Sequence, residues 1–525
     1  MKTIDANTSK YLRSPYLEII ILISSIVLAY FGLAVLSLVP EVPAEGAMQT
    51  SSITLIVLAF FLLSVAIAMI AVIAGIGGGV IFTPLMLAFT SVNSLVVRGT
   101  GLIVAMFSGL ISTGIFIKKG LGNYKLCMTL TLSQSVGALL GATLAVSAAQ
   151  NAGALGEGLM RTGLGILLTM IAVYLFLGGK KLEWPVIKKV DRFTAWLKLD
   201  GSYYEQSEGA VKEYRVTRAP LGILLLFVVG LIGGFFGMGG GWAITPALNL
   251  GMGLPLKLAA ANSGIILGIG SCVSIWPYIE AGSIIPLFVL PWLAGQVIGG
   301  FIGSYALARI KVKVVRLILI GIMVFTAFGL ITKGLNILGI IGSVPATIQV
   351  AVFTAVFACV IAAVILNNKK ETEAGKAAKK AAEEAPVIPK LSIPASQTAY
   401  ANVIHWVTLS VSIAALFVPI FVLVNPANNV LNPNRIFGAI FNGASPEAIW
   451  ATSISGAFPG THFYLSNITK ADSWAMMTVN IGCAVGLLAA LPAVLIQLLK
   501  EKNKLNAALG VAMAGLIICA MTGLL

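Results

Sequence analysis

The chain has 525 residues, 58% of them hydrophobic and 10% charged, with a mean hydropathy of +0.98. Soluble domains carry about 25% charged residues, so a soluble globular protein is excluded, and long helical runs in place of alternating ten-residue segments exclude an outer-membrane barrel. The net charge of +15 does not point to nucleic acid, because the Lys and Arg residues lie almost wholly in loops between apolar runs, where the positive-inside rule puts them.

In chain order, apolar runs fall at 17–39, 52–74, 80–90, 95–117, 126–149, 159–178, 219–236, 242–252, 258–279, 284–308, 314–333, 346–366, 401–424, 447–466, 473–499 and 505–524. The first is too long for a signal-peptide core, and no clear cleavage site follows it, so a retained helix is expected. Runs 80–90 and 242–252 are too short to cross a bilayer, which takes about 20 apolar residues. Each follows a longer run across a cluster of glycines, a pattern that predicts a helix, a break and a short returning half-helix. Two polar segments interrupt the series. Residues 179–218 carry Lys180, Lys181, Lys188, Lys189, Arg192, Lys198, Lys212, Arg215 and Arg218 against six acids, which reads as a cytoplasmic loop with a surface helix around 184–199. Residues 367–397 begin rich in Ala, Lys and Glu and turn Pro-rich at Pro386, Pro389 and Pro394, as a linker does.

A duplication is the most informative feature. The cluster Gly75, Gly77, Gly78 and Gly79 recurs 162 residues later as Gly237, Gly239, Gly240 and Gly241. The same offset, without a gap, pairs Thr83 and Pro84 with Thr245 and Pro246, Gly120 with Gly282, Gln134 with Gln296, Gly137 with Gly299 and Gly141 with Gly303. With Lys2, Lys10 and Arg13 inside and Glu41 and Glu45 outside, a crossing count that treats 52–90 and 219–252 as re-entrant hairpins leaves every basic cluster in the cytoplasm. Equivalent points are then an odd number of crossings apart, so the repeats are inverted, and a transport site is expected near the midplane where the broken helices meet.

The expected fold is an all-α polytopic membrane protein with two inverted repeats. Each repeat is a glycine-broken re-entrant hairpin plus three spanning helices, and extra helices stand at both ends of the chain. The division is 1–50 (first helix and outer loop), 51–180 (repeat 1), 181–218 (basic cytoplasmic loop), 219–340 (repeat 2), 341–366 (an additional helix), 367–398 (linker) and 399–525 (C-terminal membrane extension).

The segments from Gly75 to Pro84 and from Gly237 to Pro246 resemble the paired G-x-G-G-G-x-x-x-x-P signature of the TauE/SafE sulfite exporter family, over roughly residues 50–335. That resemblance implies transport, usually export, of sulfite, sulfoacetate, thiosulfate or related anions across the cell inner membrane. The residues themselves support anion chemistry. Glycines leave backbone amides uncovered, and a helix N-terminus aims N–H groups and partial positive charge into the gap. Candidate substrate-binding residues are therefore Gly77, Gly78, Gly79, Gly239, Gly240 and Gly241, with Thr83 and Thr245 as hydroxyl donors one turn into each half-helix. The alternative for all of them is close helix packing around glycine.

The helices that follow add Thr100, in register with Asn262, and Gly101, in register with Ser263. The family often has a serine here, so Gly101 departs from its pattern and weaker hydrogen bonding is expected in the first half. Ser108 and Ser271 are candidate lining residues, or hydroxyls bonded to their own helix carbonyls. Gln134 and Gln296 suit helix-to-helix hydrogen bonds better than cargo contact. Trp242 walls the pocket or simply packs. Arg98, which has no counterpart in the other repeat because the equivalent position is Ala260, is either an interfacial snorkelling residue or a gate and guide for the anion. Ser455 to His462 is a candidate third re-entrant loop, although a lone histidine without an acidic neighbour is more often structural.

The five cysteines lie in or beside apolar runs without ligand spacing, so no disulfide frame, metal or cofactor is expected. Mid-span carboxylates, the usual proton or sodium relay, are absent from the duplicated core, and no nucleophile–base constellation marks an enzyme. The expected partners are a small anionic substrate and membrane lipid, with no nucleic acid; a homo-oligomer is compatible. The competing readings are an anion channel, and an anion-binding receptor or enzyme subunit that does not translocate.

Overall fold

The computed structural model describes residues 47–177, 189–205, 210–307, 312–345, 393–454 and 463–524, with shorter stretches within 24–39, 347–362 and 458–460, and Ile187. Among them, ten helices are long and apolar enough to cross a membrane, or eleven if the bent pair Ala471–Cys483 and Val485–Leu499, which meet at 43°, forms one span. The predicted linker and most of run 346–366 lie outside the described residues.

Helix α1 (Thr50–Ala74) carries no charge and ends at Gly75, whose left-handed φ of 67° lets its N–H reach the carbonyls of Ala71 and Val72. A short helix α2 (Gly79–Phe89) follows. Helix α3 (Ser94–Lys118) begins where the Asn93 side chain accepts a hydrogen bond from the Leu95 N–H. Helix α4 (Tyr124–Leu177) holds two predicted spans, separated at Gly153, where φ is 50° and ψ −142°.

A similar order of elements surrounds the second glycine cluster. Helix α6 (Ala219–Phe236) ends at Gly237 with φ 66°, and α7 (Gly241–Pro246) runs on as a π-helical turn, Ala247–Gly251. Helices α8 (Leu256–Ser274), α9 (Trp276–Glu280), α10 (Pro286–Leu307) and α11 (Val312–Ile337) complete the duplicated region. The left-handed glycines recur at the same offset as the sequence motif: Gly75 and Gly237, Gly77 and Gly239 (φ 74° and 70°), Gly120 and Gly282 (φ 69° and 65°).

The chain is all-α as expected, and the basic loop adds a two-stranded antiparallel hairpin, β1 (Gly201–Glu205) with β2 (Ala210–Tyr214). Its predicted surface helix shrinks to α5 (Arg192–Leu197) within the described residues, capped by Asp191, whose carboxylate accepts from the Thr194 N–H and hydroxyl and from the Arg218 N–H. Among its described residues, run 447–466 is not one continuous helix. The chain here forms α13 (Pro433–Phe441), α14 (Pro446–Ala451) and α15 (Phe463–Ser466), with Gly443 between the first two and non-helical residues 452–454 after the second.

The core centres on α3, where every residue from Ser94 to Ile117 is buried. Helix α8 packs against it through backbone-close contacts: a Cβ at Gly109 would stand 2.6 Å from the Gly264 carbonyl oxygen. Helix α12 (Ala395–Val424), the first of the C-terminal region, covers another side of α3, with His405 against Gly114. The outer faces of α4 and α12 expose Leu155, Leu159, Met170, Phe417 and Phe421, which suits lipid contact.

Candidate substrate site at two glycine breaks

The breaks between α1 and α2 and between α6 and α7 lie against the middle of α3. A 25-residue helix is roughly 37 Å long at about 1.5 Å per residue, and the first break touches it at Gly101, Val104, Ala105 and Ser108. The two segments pass along α3 in opposite directions. As the chain advances from Gly77 to Gly79, its neighbours change from Ser108 to Gly101; from Gly237 to Gly239 they change from Arg98 to Ala105.

The breaks meet through reciprocal contacts. A Cβ at Gly79 would lie 2.8 Å from the Met238 carbonyl oxygen, and one at Gly241 would lie 1.7 Å from that of Ile76. Only hydrogen side chains permit this approach. Thr83 Oγ1 donates to the Gly237 carbonyl at 2.7 Å, and Thr245 Oγ1 donates to the Gly75 carbonyl at 3.3 Å. Those carbonyls lie at the ends of α6 and α1, where helices leave oxygens without partners. Each half-helix threonine thus caps the long helix of the other half, and neither hydroxyl proton is left for a cargo.

Ser263 Oγ also donates to the Gly75 carbonyl, at 3.2 Å. Its counterpart Gly101 makes no such bond, so the first half gives the Gly237 carbonyl one hydroxyl where the second gives the Gly75 carbonyl two. A Cβ at Gly101 would sit 1.8 Å from Thr83 Oγ1 and 2.3 Å from the Gly237 oxygen. The missing side chain leaves the room that Thr83 needs for the shorter of the two threonine bonds.

The remaining candidates divide. Ser108 Oγ accepts from the Gly78 N–H at 3.0 Å while donating to its own helix at Ala105. Ser271 Oγ, near Gly239, is buried without a hydrogen-bond partner, as is Trp242 Nε1. Gln296 donates to the Ser64 carbonyl and hydroxyl, while its Oε1 is buried, unpartnered and against Gly78. Gln134 Oε1 is likewise unpartnered, against Gly270. Thr100 and Asn262 are not brought to the breaks by their hydrogen bonds. Thr100 bonds its own helix at Val96. Asn262 donates to Leu121 and Leu258 and accepts from the Asn123 N–H and the Cys127 thiol, pinning the 120–123 turn. Leu267 is not among the residues the sequence singles out. Its two methyls lie against Gly77 and Gly239, wedging the space between the breaks; the matching residue is Ala105.

Arg98 does not snorkel. It is buried, with Nη1 donating to the Phe235 carbonyl at the end of α6 and Nε and Nη2 to Ser94. A cation there offsets the negative end of the helix dipole. Arg98 also lines a cavity of about 800 Å³ with Arg161 and Lys333. Both of those cations lie inside spans, where a charge needs a reason, and that rule could have found them in the sequence. In the C-terminal region, Asp472 accepts from the N–H groups of Val430 and Leu431, while His462 lies outside the described residues. Among the described residues, no group of three His, Cys, Asp or Glu side chains could hold a metal ion.

Comparison with known proteins agrees with the duplicated region. The sequence model of the family described as sulfite exporter TauE/SafE matches residues 59–330, and a second family model matches residues 396–524. The "Probable membrane transporter protein YunE" of Bacillus subtilis (strain 168) is 27% identical over 269 residues, covering 50% of this chain and 92% of that protein. A crystal structure of an Eremococcus coleocola manganese transporter in complex with an aromatic bis-isothiourea substituted compound covers 92% of this chain and 97% of its own. At 12% identity and a TM-score of 0.14, it establishes no shared fold. With just over half of its length matched and ten or more apolar spans, the chain is a multi-pass membrane protein belonging to the sulfite exporter TauE/SafE family of membrane transporters.

Proposed function

We propose that the chain transports a small sulfur-containing anion, of the sulfite, thiosulfate or sulfoacetate kind, and exports it across the cell inner membrane by alternating access at the paired glycine breaks. The observation that carries this reading is the reciprocal meeting of the breaks halfway along a buried helix, which is what two inverted repeats with a midplane site require. Irregular backbone at that depth is tolerated where it lines a cavity or is buried in protein. At the start of α2 the Gly78 N–H goes to Ser108 Oγ and the Ile81 N–H to the Gly78 carbonyl, which leaves the Gly79 and Val80 N–H groups as the pair that would suit an oxyanion.

The orphan polar atoms sharpen the choice of cargo. Leaving a buried polar group unpaired costs about 1–3 kcal/mol, so Ser271, Trp242, Gln134 and Gln296 call for an explanation. Serine and indole can donate to oxyanion oxygens, whereas the two Oε1 atoms accept. A protonated oxyanion, or a sulfonate that also bears a donor, satisfies both kinds. In the arrangement described, Leu267 fills the gap, as expected of an occluded state between two open ones.

Uptake of radiolabelled sulfite, thiosulfate, sulfoacetate and sulfate into vesicles containing the pure protein tests the proposal. Saturable flux of one or more of the first three supports it. Binding without flux would instead favour a receptor, and unsaturable conductance a channel.

A further inference from the structure

The cavity lined by Arg98, Arg161 and Lys333 is separate from the glycine breaks but joined to them by Arg98. One side of Arg98 lies directly on Gly237, with its Cβ 2.3 Å from where a Cβ of that glycine would stand, and the same residue lines the cavity. Three cations from three spans converge there. Arg161 donates to the Leu87 carbonyl and Lys333 to the Thr90 carbonyl, both at the end of α2, while Arg98 serves the end of α6. Capping helix ends explains part of their presence, but not a cavity of about 800 Å³ between them. Nor does capping use every donor. Lysine has three N–H groups and arginine five, and Lys333 places one on Thr90.

Two carboxylates oppose the cations. Glu157 pairs with Arg161 at 2.6 Å, and Glu447 lines the cavity from α14, in the region matched by the second family model. The wall beside Glu447 is fixed to the duplicated region by close packing, since a Cβ at Gly443 would stand 2.7 Å from the Ser91 carbonyl oxygen. The C-terminal region therefore supplies part of the rim and a charge of the same sign as the cargo.

We infer that this cavity is a vestibule that holds the anion electrostatically before it enters, or after it leaves, the glycine site, and that Glu447 of the C-terminal region weakens that hold so that the anion does not stay. The inference rests on the transport reading above and names a second anion site within it. An anion with a delocalised oxyanion group suits guanidinium and ammonium donors in combination.

The test uses the full chain in phosphatidylcholine vesicles, which bring no anionic headgroup, with radiolabelled sulfite as the probe. Glu447→Gln changes an exposed residue, so folding is not at stake. It should lower KM about three- to fivefold, the range expected for one partly screened charge, with kcat held within about twofold of wild type. Lys333→Gln should raise KM by a similar factor while Lys333→Arg does not, and all three differences should shrink in high salt. Equal KM values in wild type, Glu447→Gln and Lys333→Gln, or shifts of the same sign in the latter two, would overturn the vestibule. Absence of any wild-type flux would instead remove the transport reading, and it is seen before a variant is compared.

Discussion

The two glycine breaks have nearly the same backbone and differ in what surrounds it. Left-handed glycines, threonine caps and cross-contacts match at an offset of 162 residues, yet Arg98 stands opposite Ala260, Gly101 opposite Ser263, and Ala105 opposite Leu267. The first half-helix runs 11 residues as α-helix, whereas the second turns π-helical after Pro246. The asymmetry is one of side chains: among the described residues, Leu267 lies against both breaks where its match is Ala105, and Arg98 lies against Gly237 where its match is Ala260.

The comparison can be broken most severely at Gly241. A methyl group there meets the Ile76 backbone oxygen at 1.7 Å, and neither side can yield without moving a break. Gly241→Ala should cost about 3 kcal/mol or more and abolish flux, read as the thermal unfolding midpoint and initial uptake rate. Wild-type flux in that variant would show that the breaks do not meet. Next in size is Gly101→Ser, which writes the second half's residue into the first. It should cost about 2–3 kcal/mol through its clash with Thr83, and Thr83→Ala in the same chain should restore part of the loss. Additive damage in the double variant would deny that Gly101 exists to admit Thr83.

Gly78→Ala and Gly240→Ala measure the asymmetry itself. The first methyl meets Gln296 Oε1 at 2.3 Å; the second meets only side-chain ends, at 3.0–3.2 Å. Losses of about 2 kcal/mol for Gly78 against about 1 kcal/mol or less for Gly240 are expected, and equal losses would mean that the surroundings are symmetric after all. Ser263→Ala should cost about 1 kcal/mol, because Thr245 still serves the Gly75 carbonyl.

The smallest effect lies outside both breaks. Burial alone would raise the Asp191 carboxyl, but hydrogen bonds from the Thr194 side chain and from the Thr194 and Arg218 N–H groups outweigh it and hold its pKa below the usual value. A depressed folded pKa stabilises the basic loop above the unfolded value of about 4 and loses that contribution as pH falls through the folded one. Proteolysis within residues 189–218 should therefore rise at acid pH, and the acid dependence should vanish in Asp191→Asn.

Much of this architecture was legible because lipid imposes it. A bilayer demands long apolar runs, so α1, α3, α6 and α8 were visible within a few residues, and ungapped repetition tied the two glycine clusters together. What the sequence hid depends on partners distant in the chain. The hydroxyls of Thr83 and Thr245 looked available until each was seen capping the other half. Gly101 looked like a loss because the space it leaves belongs to a residue 18 positions earlier. Asn262 looked like a site residue, but an amide has enough donors and acceptors to pin a turn. Run 447–466 had the composition of a span but not the uninterrupted helix that one requires.

Side-specific labelling tests the central claim, that the half-helices return to opposite membrane faces, most directly. In a chain whose five cysteines are replaced, single cysteines at Ser91, beyond α2, and at Lys257, beyond the π-helical turn, are exposed to a membrane-impermeant maleimide in oriented vesicles. The proposal predicts modification of Ser91→Cys only from the outer face and of Lys257→Cys only from the inner face. Modification of both from the same face would contradict it.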